Sequence, residues 1–537
     1  MGRNRRNEIS LINRQKMIYL EEYLIVKRFC HMMQNSSICD VNDLTSKAIG
    51  DFGWWQLRIS VLMALLKLPL AWYQLNIIFM APPQDFWCMK PESFKKFTTE
   101  EWREICAPHP CLIFDPDVLL VVPTLERSFI TLVPCRDFVY DTRLFKRTIT
   151  SDWNLVCSKH WLTHFTQCVM MSGVLLGGII FGIAADKYGR RNPLMISIIL
   201  QAMASFVVSL MPWFWGFMIS WFILALASGG LGIMSFVICM EVVGGKWRTT
   251  IPILYHLPFG LGNTVMAGLA YWLRDWRLLE FALATISSLF IFYWFAIPES
   301  PRWLLATGQT DEAIEFLKVK NDLLKCKQPK VNAPGFMAFI KSKDMRLKTL
   351  FLSVNWFCTG LEFFTFSQYL GALGENIFRT VALTGLISLP GGILCVYIVM
   401  KFGRKSTIWI FQVATALCFL LILFVPKNIF GNDWPRLLIA GIGFAGMAGT
   451  VPALYLFSGE LFPTLGRNAG VGGVTIFARI ASMIAPIIVS LDDFIPDLPL
   501  IILSVVSFGQ IFLLVPLPET KDRPLPDTLE QAEHFTQ

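Results

Sequence analysis

Charged residues are scarce in this sequence. Asp, Glu, Lys and Arg make up 16% of its 537 residues, whereas ordinary soluble domains carry about 25%. It has no Gly-x-x-x-x-Gly-Lys-Ser/Thr loop, which disfavours a machine driven by its own nucleotide hydrolysis. No metal-ligand spacing and no pairing of a nucleophile with a base is present. We therefore expect neither an enzyme, nor a metal site, nor a bound cofactor.

Long apolar runs dominate the chain instead. Hydrophobic residues make up 54% of it, and the mean hydropathy is positive, at +0.53. A run of about 20 apolar residues is long enough to cross a bilayer as a helix. We number twelve such runs as spans 1 to 12; they cover 60–80, 162–182, 192–212, 216–240, 250–272, 278–297, 349–371, 379–400, 407–425, 435–457, 469–489 and 498–517. The composition predicts an all-α polytopic membrane protein.

Lysine and arginine are unevenly distributed between the loops, and the net charge of +8 gives no reason by itself to expect nucleic-acid binding. Basic residues favour cytoplasmic loops. They cluster in alternate loops, including 187–191, 302–348 and 401–405, whereas the opposite loops are mixed or acidic. This pattern predicts that both termini are cytosolic and that the long loop 81–160 lies outside.

Five cysteines share the loop 81–160: Cys88, Cys106, Cys111, Cys135 and Cys157. Cysteines in an oxidising space form disulfides, so we expect bridges here. Because five is an odd number, at least one thiol stays free or pairs elsewhere. The sequence leaves the connectivity open.

Three landmarks of the first half of the chain recur in the second half, 214 to 220 residues later. They are Gly189-Arg190-Arg191 with Gly403-Arg404-Lys405, Glu241 and Arg248 with Glu460 and Arg467, and Pro298-Glu299-Ser300 with Pro518-Glu519-Thr520. So steady an offset indicates two duplicated six-helix halves. Met400 stands where an acid would match Asp186, which predicts a weaker lock in the second half.

These observations divide the chain into five parts. They are a cytosolic N-terminal segment 1–53, a six-helix bundle 54–297 that includes the loop 81–160, a cytosolic linker 298–348, a second six-helix bundle 349–517 and a cytosolic tail 518–537.

The turn between spans 2 and 3 reads Gly182-Ile-Ala-Ala-Asp186-Lys-Tyr-Gly189-Arg190-Arg191. Glycine lets so short a turn close between antiparallel helices. With the repeated landmarks, this turn resembles the signature loop of the major facilitator superfamily. The resemblance implies twelve helices in two six-helix bundles.

Three further stretches narrow the resemblance: Glu299-Ser300-Pro301-Arg302-Trp303-Leu304-Leu305, Glu460-Leu461-Phe462-Pro463-Thr464 and Ser151-Asp152-Trp153-Asn154-Leu155-Val156-Cys157. Together they resemble the organic cation/anion/carnitine transporter family. That resemblance implies a plasma-membrane carrier of small organic ions that works by alternating access, surrounded by membrane lipid and functional as a monomer. A membrane sensor or scaffold without transport activity remains the alternative of another class.

The charge of the substrate depends on residues inside the spans. Arg479 lies in the middle of span 11, and a buried guanidinium commonly marks a substrate or ion path. Anion and carnitine carriers resemble this chain in having Arg there, whereas cation carriers have Asp; Ser388 matches a position where those cation carriers place Glu. We therefore expect an organic anion or a carnitine-like zwitterion, with an organic cation as the alternative.

Two other charges lie within spans. Lys67 in span 1 should face a polar cavity or find a partner, because charge is costly in hydrocarbon. Glu362 in span 7 could pair with Lys67 or Arg479 or bind a substrate amine, and Arg479 could instead be only its structural counter-charge. The resemblance adds an aromatic and polar cavity wall: Trp356, Phe363, Phe378, Tyr255, His256, Phe259 and Tyr455. Each aromatic residue taken alone is more often ordinary packing than a contact to a ligand.

The charged residues at the cytosolic ends of the spans should form a gating network. Its predicted first-half members are Asp186, Arg190, Arg191, Glu241, Arg248, Glu299 and Arg302, and its weaker second-half members are Arg404, Glu460, Arg467 and Glu519. Because such bridges break and re-form during a transport cycle, their stability sets the populations of the two states.

Overall fold

The computed structural model of the chain describes residues 52–90, 98, 100–102, 111–114, 132–244, 247–301, 303–304, 336–373, 376–426, 429, 433–463, 467–521, 526 and 532. Cys106, Arg302, nearly all of the predicted segment 1–53 and most of the linker 298–348 lie outside these described residues. The rest is predominantly helical.

The first half contains spans 1 to 6. Its helices are α1 (Trp54–Leu65), α2 (Lys67–Leu75), α3 (Ile77–Met80), α4 (Ile149–Trp153), α5 (Trp161–Tyr188), α6 (Arg191–Leu210), α7 (Phe214–Val242), α8 (Trp247–Leu254), α9 (Leu257–Leu273), α10 (Trp276–Ser288) and α11 (Tyr293–Ala296). Short 3-10 turns occupy Cys157–Lys159 and Leu289–Phe292. Span 1 is thus built from α1 to α3, span 5 from α8 and α9, and span 6 from α10 and α11.

The second half contains spans 7 to 12, each built mainly from one helix. Its helices are α12 (Phe336–Lys341), α13 (Lys343–Leu373), α14 (Ile377–Phe402), α15 (Arg404–Phe424), α16 (Trp434–Leu461), α17 (Arg467–Ser490) and α18 (Leu498–Leu513), with a 3-10 turn at Leu491–Asp493. Spans 7 to 12 correspond to α13 to α18 in order.

Eight of the described helical segments are long and apolar enough to cross a membrane by length and composition. The other four spans do not meet these criteria of helix length and composition, and the structure shows why. Span 1 is broken at Leu66 and Asn76, and span 5 at Tyr255 and His256. Span 7 carries many polar side chains, and α18 has only 16 residues.

Helix packing is the same in the two halves. In the first half, span 2 packs on span 4, and span 3 packs on spans 4 and 6; spans 8, 9, 10 and 12 repeat these contacts in the second half. The halves meet along two seams, span 2 against span 11 and span 5 against span 8. The prediction of a duplicated all-α membrane fold is therefore confirmed.

Glycines let the second seam close. A Cβ atom added to Gly385 of α14 would lie 2.6 Å from Thr264 Oγ1 and 2.7 Å from the carbonyl oxygen of Gly260, both on α9. Such distances are below van der Waals contact, so any larger residue would force the two halves apart.

The two ends of the helices differ in character. One end, the basic face, carries the turns at Gly189 and Gly403, whose φ angles are +95° and +98°. Only glycine adopts such angles without strain. Gly182, in contrast, lies inside α5, so Gly189 alone makes the first turn. The opposite end, the loop face, carries the residues of loop 81–160.

Two small antiparallel sheets form on the loop face. Strand β1 (Phe86–Cys88) pairs with β4 (Phe138–Tyr140), and β2 (Leu112–Phe114) pairs with β3 (Leu132–Pro134). Disulfides join Cys88 to Cys135 and Cys111 to Cys157, with Cα atoms 5.7 and 5.6 Å apart. The expectation of disulfides in this loop is confirmed, and the structure supplies the connectivity that the sequence left open.

Candidate functional site

A cavity lies between the two halves, with about 970 Å³ of space between its lining residues when the part open to solvent is included. Spans 1 and 5 of the first half and spans 7, 8, 10 and 11 of the second half contribute its walls. Its lining includes Lys67, Gln74, His256, Phe259, Trp356, Thr359, Phe363, Ser388, Tyr455 and Arg479. Most of the substrate-binding residues predicted from the sequence therefore come together at one place.

Two cations line this cavity, one from each half. Lys67 begins α2, directly after the break in span 1 at Leu66, and its side chain is 8% exposed. Arg479 lies in the middle of α17. Among the described residues, no ion pair or hydrogen bond holds either side-chain charge. Like charges repel across a low-dielectric cavity, so an anion between them would relieve that repulsion.

The ring of Tyr255 contacts the ammonium group of Lys67. The Lys67 ammonium lies 4.6 Å from the centroid of the Tyr255 ring, a distance at which a cation is attracted to an aromatic face. The Tyr255 hydroxyl is in turn hydrogen-bonded to Ser235 Oγ of α7 at 2.5 Å. Tyr255 itself is buried and is not part of the cavity lining.

An aromatic stack crosses from one half to the other beside these charges. The His256 ring stacks on Tyr455 with centroids 5.4 Å apart, and Trp356 meets Tyr455 edge-on at 4.6 Å. Trp356 is oriented by its indole N–H, which donates to Ser458 Oγ at 3.0 Å. Phe259 and Phe363 pack together from opposite halves at 5.8 Å. The wall therefore offers flat apolar surfaces of fixed orientation.

Three polar atoms in the lining residues have no hydrogen-bond partner in the described structure: Gln74 Nε2, His256 Nε2 and Thr359 Oγ1. Buried polar atoms are nearly always hydrogen-bonded in native proteins. All three are therefore open to a hydrogen bond with a substrate or with water in the cavity. Our sequence analysis did not single out Gln74 or Thr359, although each is a polar residue in an otherwise apolar span.

Another predicted residue, Glu362, is not part of the cavity lining. Glu362 is 2% exposed, and its carboxylate accepts hydrogen bonds from Ser507 Oγ at 2.9 Å and Gln510 Nε2 at 3.0 Å. It forms no ion pair with Lys67 or Arg479 in the described structure. Ser388 does line the cavity, and its hydroxyl donates to the Gly385 carbonyl at 2.6 Å.

Phe378 lies nearer the loop face, where it joins the halves. Its ring contacts three first-half rings: Phe79 at 5.6 Å, Phe145 at 5.0 Å and Tyr271 at 5.6 Å between centroids. At the basic face, Arg404 Nη2 of the second half donates to Thr249 Oγ1 of the first half at 3.2 Å. The cavity therefore lies between two layers of contacts that connect the halves.

Arg190 is the centre of the first-half charge cluster. Its guanidinium bonds Asp186 Oδ1 at 2.6 Å and Glu241 Oε1 at 3.1 Å. Burial alone would lower the pKa of Arg190, but the carboxylates of Glu241 and Asp186 more than offset it and raise that pKa above its ordinary value. The Arg190 guanidinium therefore stays charged, and both of its ion pairs lie within one half.

Glu299 contributes differently from what the sequence suggested. Its carboxylate accepts from the backbone N–H groups of Arg190 at 2.7 Å and Arg191 at 3.2 Å, at the start of α6. Negative charge is stabilised at a helix N-terminus. The Arg191 side chain donates instead to the Trp294 carbonyl at 2.7 Å. Arg248 lies near the start of α8 at the same face.

The second half repeats this arrangement with one difference. Arg404 bonds Glu460 Oε1 at 2.9 Å, and Glu519 accepts from the N–H groups of Arg404 at 2.8 Å and Lys405 at 3.1 Å. No acid stands at Met400, and the same guanidinium reaches Thr249 across the seam. Arg467 begins α17 at this face and is 9% exposed.

Comparison with known proteins agrees with this geometry. The sequence model of a family described as "Sugar (and other) transporter" matches residues 131–531. The "Organic cation transporter protein" of Drosophila melanogaster is 30% identical over 91% of this chain and 93% of its own length. The chain belongs to the organic cation/anion/carnitine transporter family of the major facilitator superfamily. The human "Solute carrier family 22 member 13" is similar to the same degree, 30% identical over 90% of this chain and 92% of its own length.

Solved structures support the fold of this organic ion transporter. The proton:xylose symporter XylE bound to 6-bromo-6-deoxy-D-glucose superposes with a TM-score of 0.63, covering 90% of this chain and 99% of that one at 16% identity. The inward-open XylE from E. coli gives 0.58 at 15% identity. At such identities the likeness concerns the fold alone.

Membership of this family establishes the general activity. The protein is a secondary transmembrane transporter of small organic ions, and it is not an enzyme. The reading as a membrane sensor or scaffold without transport is not supported, because the relatives are transporters.

Proposed function

We propose that the protein carries an organic anion or a carnitine-like zwitterion across the plasma membrane by alternating access of the central cavity. Arg479 and Lys67 bind the carboxylate, and Trp356, Phe363, Phe259, Tyr455, His256 and Ser388 form the wall around the rest of the substrate. Tyr255 holds Lys67 in place, and Phe378 closes the cavity toward the loop face.

One observation carries this proposal: the described lining has two cations and no carboxylate. A guanidinium binds a carboxylate through two parallel hydrogen bonds, and charge-assisted bonds are about twice as strong as neutral ones. A cationic substrate would meet two like charges in a site of low dielectric constant. Glu362, the acid nearest along the chain to the lining, points to span 12 instead.

The organic cation alternative also has support. Relatives of 30% and 28% identity, both from Drosophila melanogaster, are named "Organic cation transporter protein" and "Organic cation transporter-like protein". Aromatic faces such as Trp356 and Tyr455 also attract quaternary ammonium groups. A zwitterion satisfies both features, because its ammonium can lie on the rings while its carboxylate meets Arg479.

Uptake into liposomes by the purified protein tests the substrate charge. We expect labelled benzenesulfonate or carnitine to enter, and labelled tetraethylammonium to be excluded. Arg479→Ala should reduce initial uptake by at least about tenfold, because a hydrogen bond to a charged group contributes about 1.5–3 kcal/mol. Arg479→Lys is the matched control, because lysine keeps the positive charge but cannot form two parallel hydrogen bonds to a carboxylate. Its initial uptake should lie between that of the wild type and that of Arg479→Ala. Tetraethylammonium uptake that is unaffected by Arg479→Ala would favour the cation alternative.

The topology and the gating follow the same proposal. The basic face is cytosolic, both termini lie on that side, and the protein works as a monomer in the lipid bilayer. Separation of the halves at the basic face breaks the Arg404–Thr249 contact, and separation at the loop face removes Phe378 from its three partners. The ion pairs of Arg190 and Arg404, with the helix caps of Glu299 and Glu519, keep each half rigid as it moves, and Arg191, Arg248 and Arg467 complete the charged face.

A further inference from the structure

A line of buried polar side chains runs along α13 on the face that meets α18. Its members on α13 are Tyr369, Thr365, Glu362 and Asn355, spaced three, four or seven residues apart and therefore on one helical face. None of the four is more than 2% exposed. With Ser507, Gln510 and Gln412 from neighbouring helices, we call this set the polar file.

Hydrogen bonds join the members of the file in two groups, with Thr365, whose hydroxyl has no described partner, between them on α13. Gln510, whose amide reaches Glu362, also receives a bond at its backbone oxygen from Asn355 Nδ2 at 3.5 Å. Asn355 Oδ1 accepts from Gln412 Nε2 at 3.1 Å. At the loop face, the Tyr369 hydroxyl donates to Asp497 Oδ1 at 2.8 Å. One group therefore surrounds Glu362, and the other is the Tyr369–Asp497 pair at the loop face.

Among the described residues, no cation is bonded to the carboxyl group of Glu362 at the centre of the file. Helix α18 contains no titratable residue, and Cys358 is the other titratable group on this part of α13. On the other helices packed against α13, the titratable groups are Lys341, Arg379, Cys395, Tyr397, Lys401, Arg436, Tyr455, Glu460, Arg467 and Arg479, and none has a described bond to Glu362. A lone carboxylate is costly in such surroundings, whereas a neutral carboxylic acid is not.

The file also has unused hydrogen-bonding capacity. Thr365 Oγ1, Gln510 Oε1 and Gln412 Oε1 are buried without partners, and so is Thr359 Oγ1, one helical turn from Glu362 in the cavity wall. Hydroxyl and amide groups can donate to a carboxylate and accept from a carboxylic acid. The neighbours of Glu362 can thus satisfy both of its protonation states.

We propose that Glu362 is a proton-binding site that couples proton movement to substrate transport. Its carboxylate takes up one proton to become a carboxylic acid on one side of the membrane and releases it on the other; no other bond changes. The proposal depends on the function proposed above only for the identity of the accompanying substrate. A proton that moves with an anion cancels its charge, which removes an opposing membrane potential of about 2.3 kcal/mol per charge per 100 mV.

The chain provides a matched control in Glu280 of α10. This carboxylate is also buried, at 1% exposure, and accepts from Asn76 Nδ2 at 2.9 Å and Ser205 Oγ at 2.7 Å. Because Asn76 lies at the second break in span 1, Glu280 has a local structural role. Glu280→Gln and Glu362→Gln are thus the same change at two buried sites, of which only Glu362 belongs to the file.

Proteoliposomes with a trapped pH-sensitive dye test the coupling. Labelled carnitine and labelled benzenesulfonate are the probes, because neither crosses a bilayer as a neutral weak acid. In the wild-type protein, an inward gradient of one pH unit should drive up to about tenfold accumulation if one proton accompanies each substrate, and the lumen should acidify. Glu362→Gln should abolish both effects but retain exchange of probe across the membrane, whereas Glu280→Gln should keep the gradient response.

Two further measurements test the proton site even if Glu362→Gln does not fold or if neither probe is transported. Thr365→Val removes one hydroxyl from the file at constant shape, and it should slow proton entry. Infrared difference spectra of the purified protein during a pH titration should show a carboxylic acid band that Glu362→Gln removes and Glu280→Gln retains. Probe uptake without proton entry, or an unchanged band in Glu362→Gln, overturns the proton site and leaves the transport proposal intact. Absence of all probe uptake with the band present overturns the transport proposal instead.

Discussion

Arg190 in the first half and Arg404 in the second occupy equivalent places in the repeated turn, yet their guanidinium groups have different partners. Arg190 bonds two acids of its own half, Asp186 and Glu241. Arg404 bonds one acid, Glu460, and uses its remaining capacity to reach Thr249 in the opposite half. The first turn is therefore complete within its own bundle, whereas the second turn connects the bundles.

This difference follows from one residue. An acid four positions before the arginine lies on the same helical face and reaches its guanidinium, as Asp186 does. The second half has Met400 at that place, with its side chain 54% exposed. The second half thus lacks the acid but has the Arg404–Thr249 contact to the first half. Alternating access must break this contact.

The largest effect should come from Arg190→Ala. Glu241 would then be left as a nearly buried charge without its partner, and removal of one member of a buried pair costs about 3–5 kcal/mol. We expect the amount of folded protein at the cell surface, measured by biotinylation, to fall at least about tenfold. Removal of both charges in Arg190→Ala with Glu241→Ala should restore part of it. Normal surface levels of Arg190→Ala would show that the first turn does not stabilise the fold.

A second prediction uses the loop that only the first half has. Loss of a disulfide from a small domain costs about 2–5 kcal/mol, so mild reduction of intact cells should increase protease cleavage within residues 81–160. Cys111→Ser and Cys88→Ser should each reproduce part of the effect, and Cys168→Ser, which removes a free thiol, should not. Unchanged cleavage after reduction would mean that packing alone maintains the loop.

Asp186→Asn should have a smaller effect. Its side chain is 66% exposed, and an exposed ion pair contributes about 0–1 kcal/mol. We expect transport to slow by no more than about fivefold while surface expression stays normal. The initial rate of uptake, divided by the surface amount of protein, measures it. A rate equal to that of the wild type would remove Asp186 from the gating mechanism.

Met400→Asp should have the smallest effect on transport, and it tests the comparison of the Arg190 and Arg404 turns most directly. The new acid should draw the Arg404 guanidinium away from Thr249 and make the second turn resemble the first. We expect a change in transport rate of about twofold, since exposed helix pairs contribute about 0.3–0.5 kcal/mol. Thr249→Val is the matched control, because it removes the same contact from the other side and should shift the rate in the same direction. Opposite shifts would show that the contact does not limit the opening of the basic face.

Hydropathy and internal repetition were sufficient to predict the twelve spans and the correspondence between the two six-helix halves. They did not predict that spans 1 and 5 are broken. At the break at Asn76, the side chain of Asn76 donates to Glu280, which is 204 positions away in the sequence. Such a contact forms only after the helices have packed, so a local pattern does not contain it.

The candidate site shows the same limit. The sequence singled out Lys67, Glu362 and Arg479 as candidate site residues, because a charged side chain inside an apolar span is costly in lipid. The sequence did not tell which of them faces the cavity, since the rotation of each helix is set by its neighbours. Glu362 and Phe363 are adjacent in the chain, yet only Phe363 lines the cavity.

The loop-face helix α4 is fastened to the first half by several independent bonds. Asp152 accepts from Trp276 Nε1 and Arg277 Nε, each at 3.0 Å, and the Trp153 indole donates to the Pro212 carbonyl at 3.1 Å. The neighbouring turn at Cys157 carries the disulfide to Cys111. An antibody fragment bound to this region would therefore act as a rigid pointer on one bundle. Its tilt in single-particle images would report the angle through which that bundle rocks during a transport cycle.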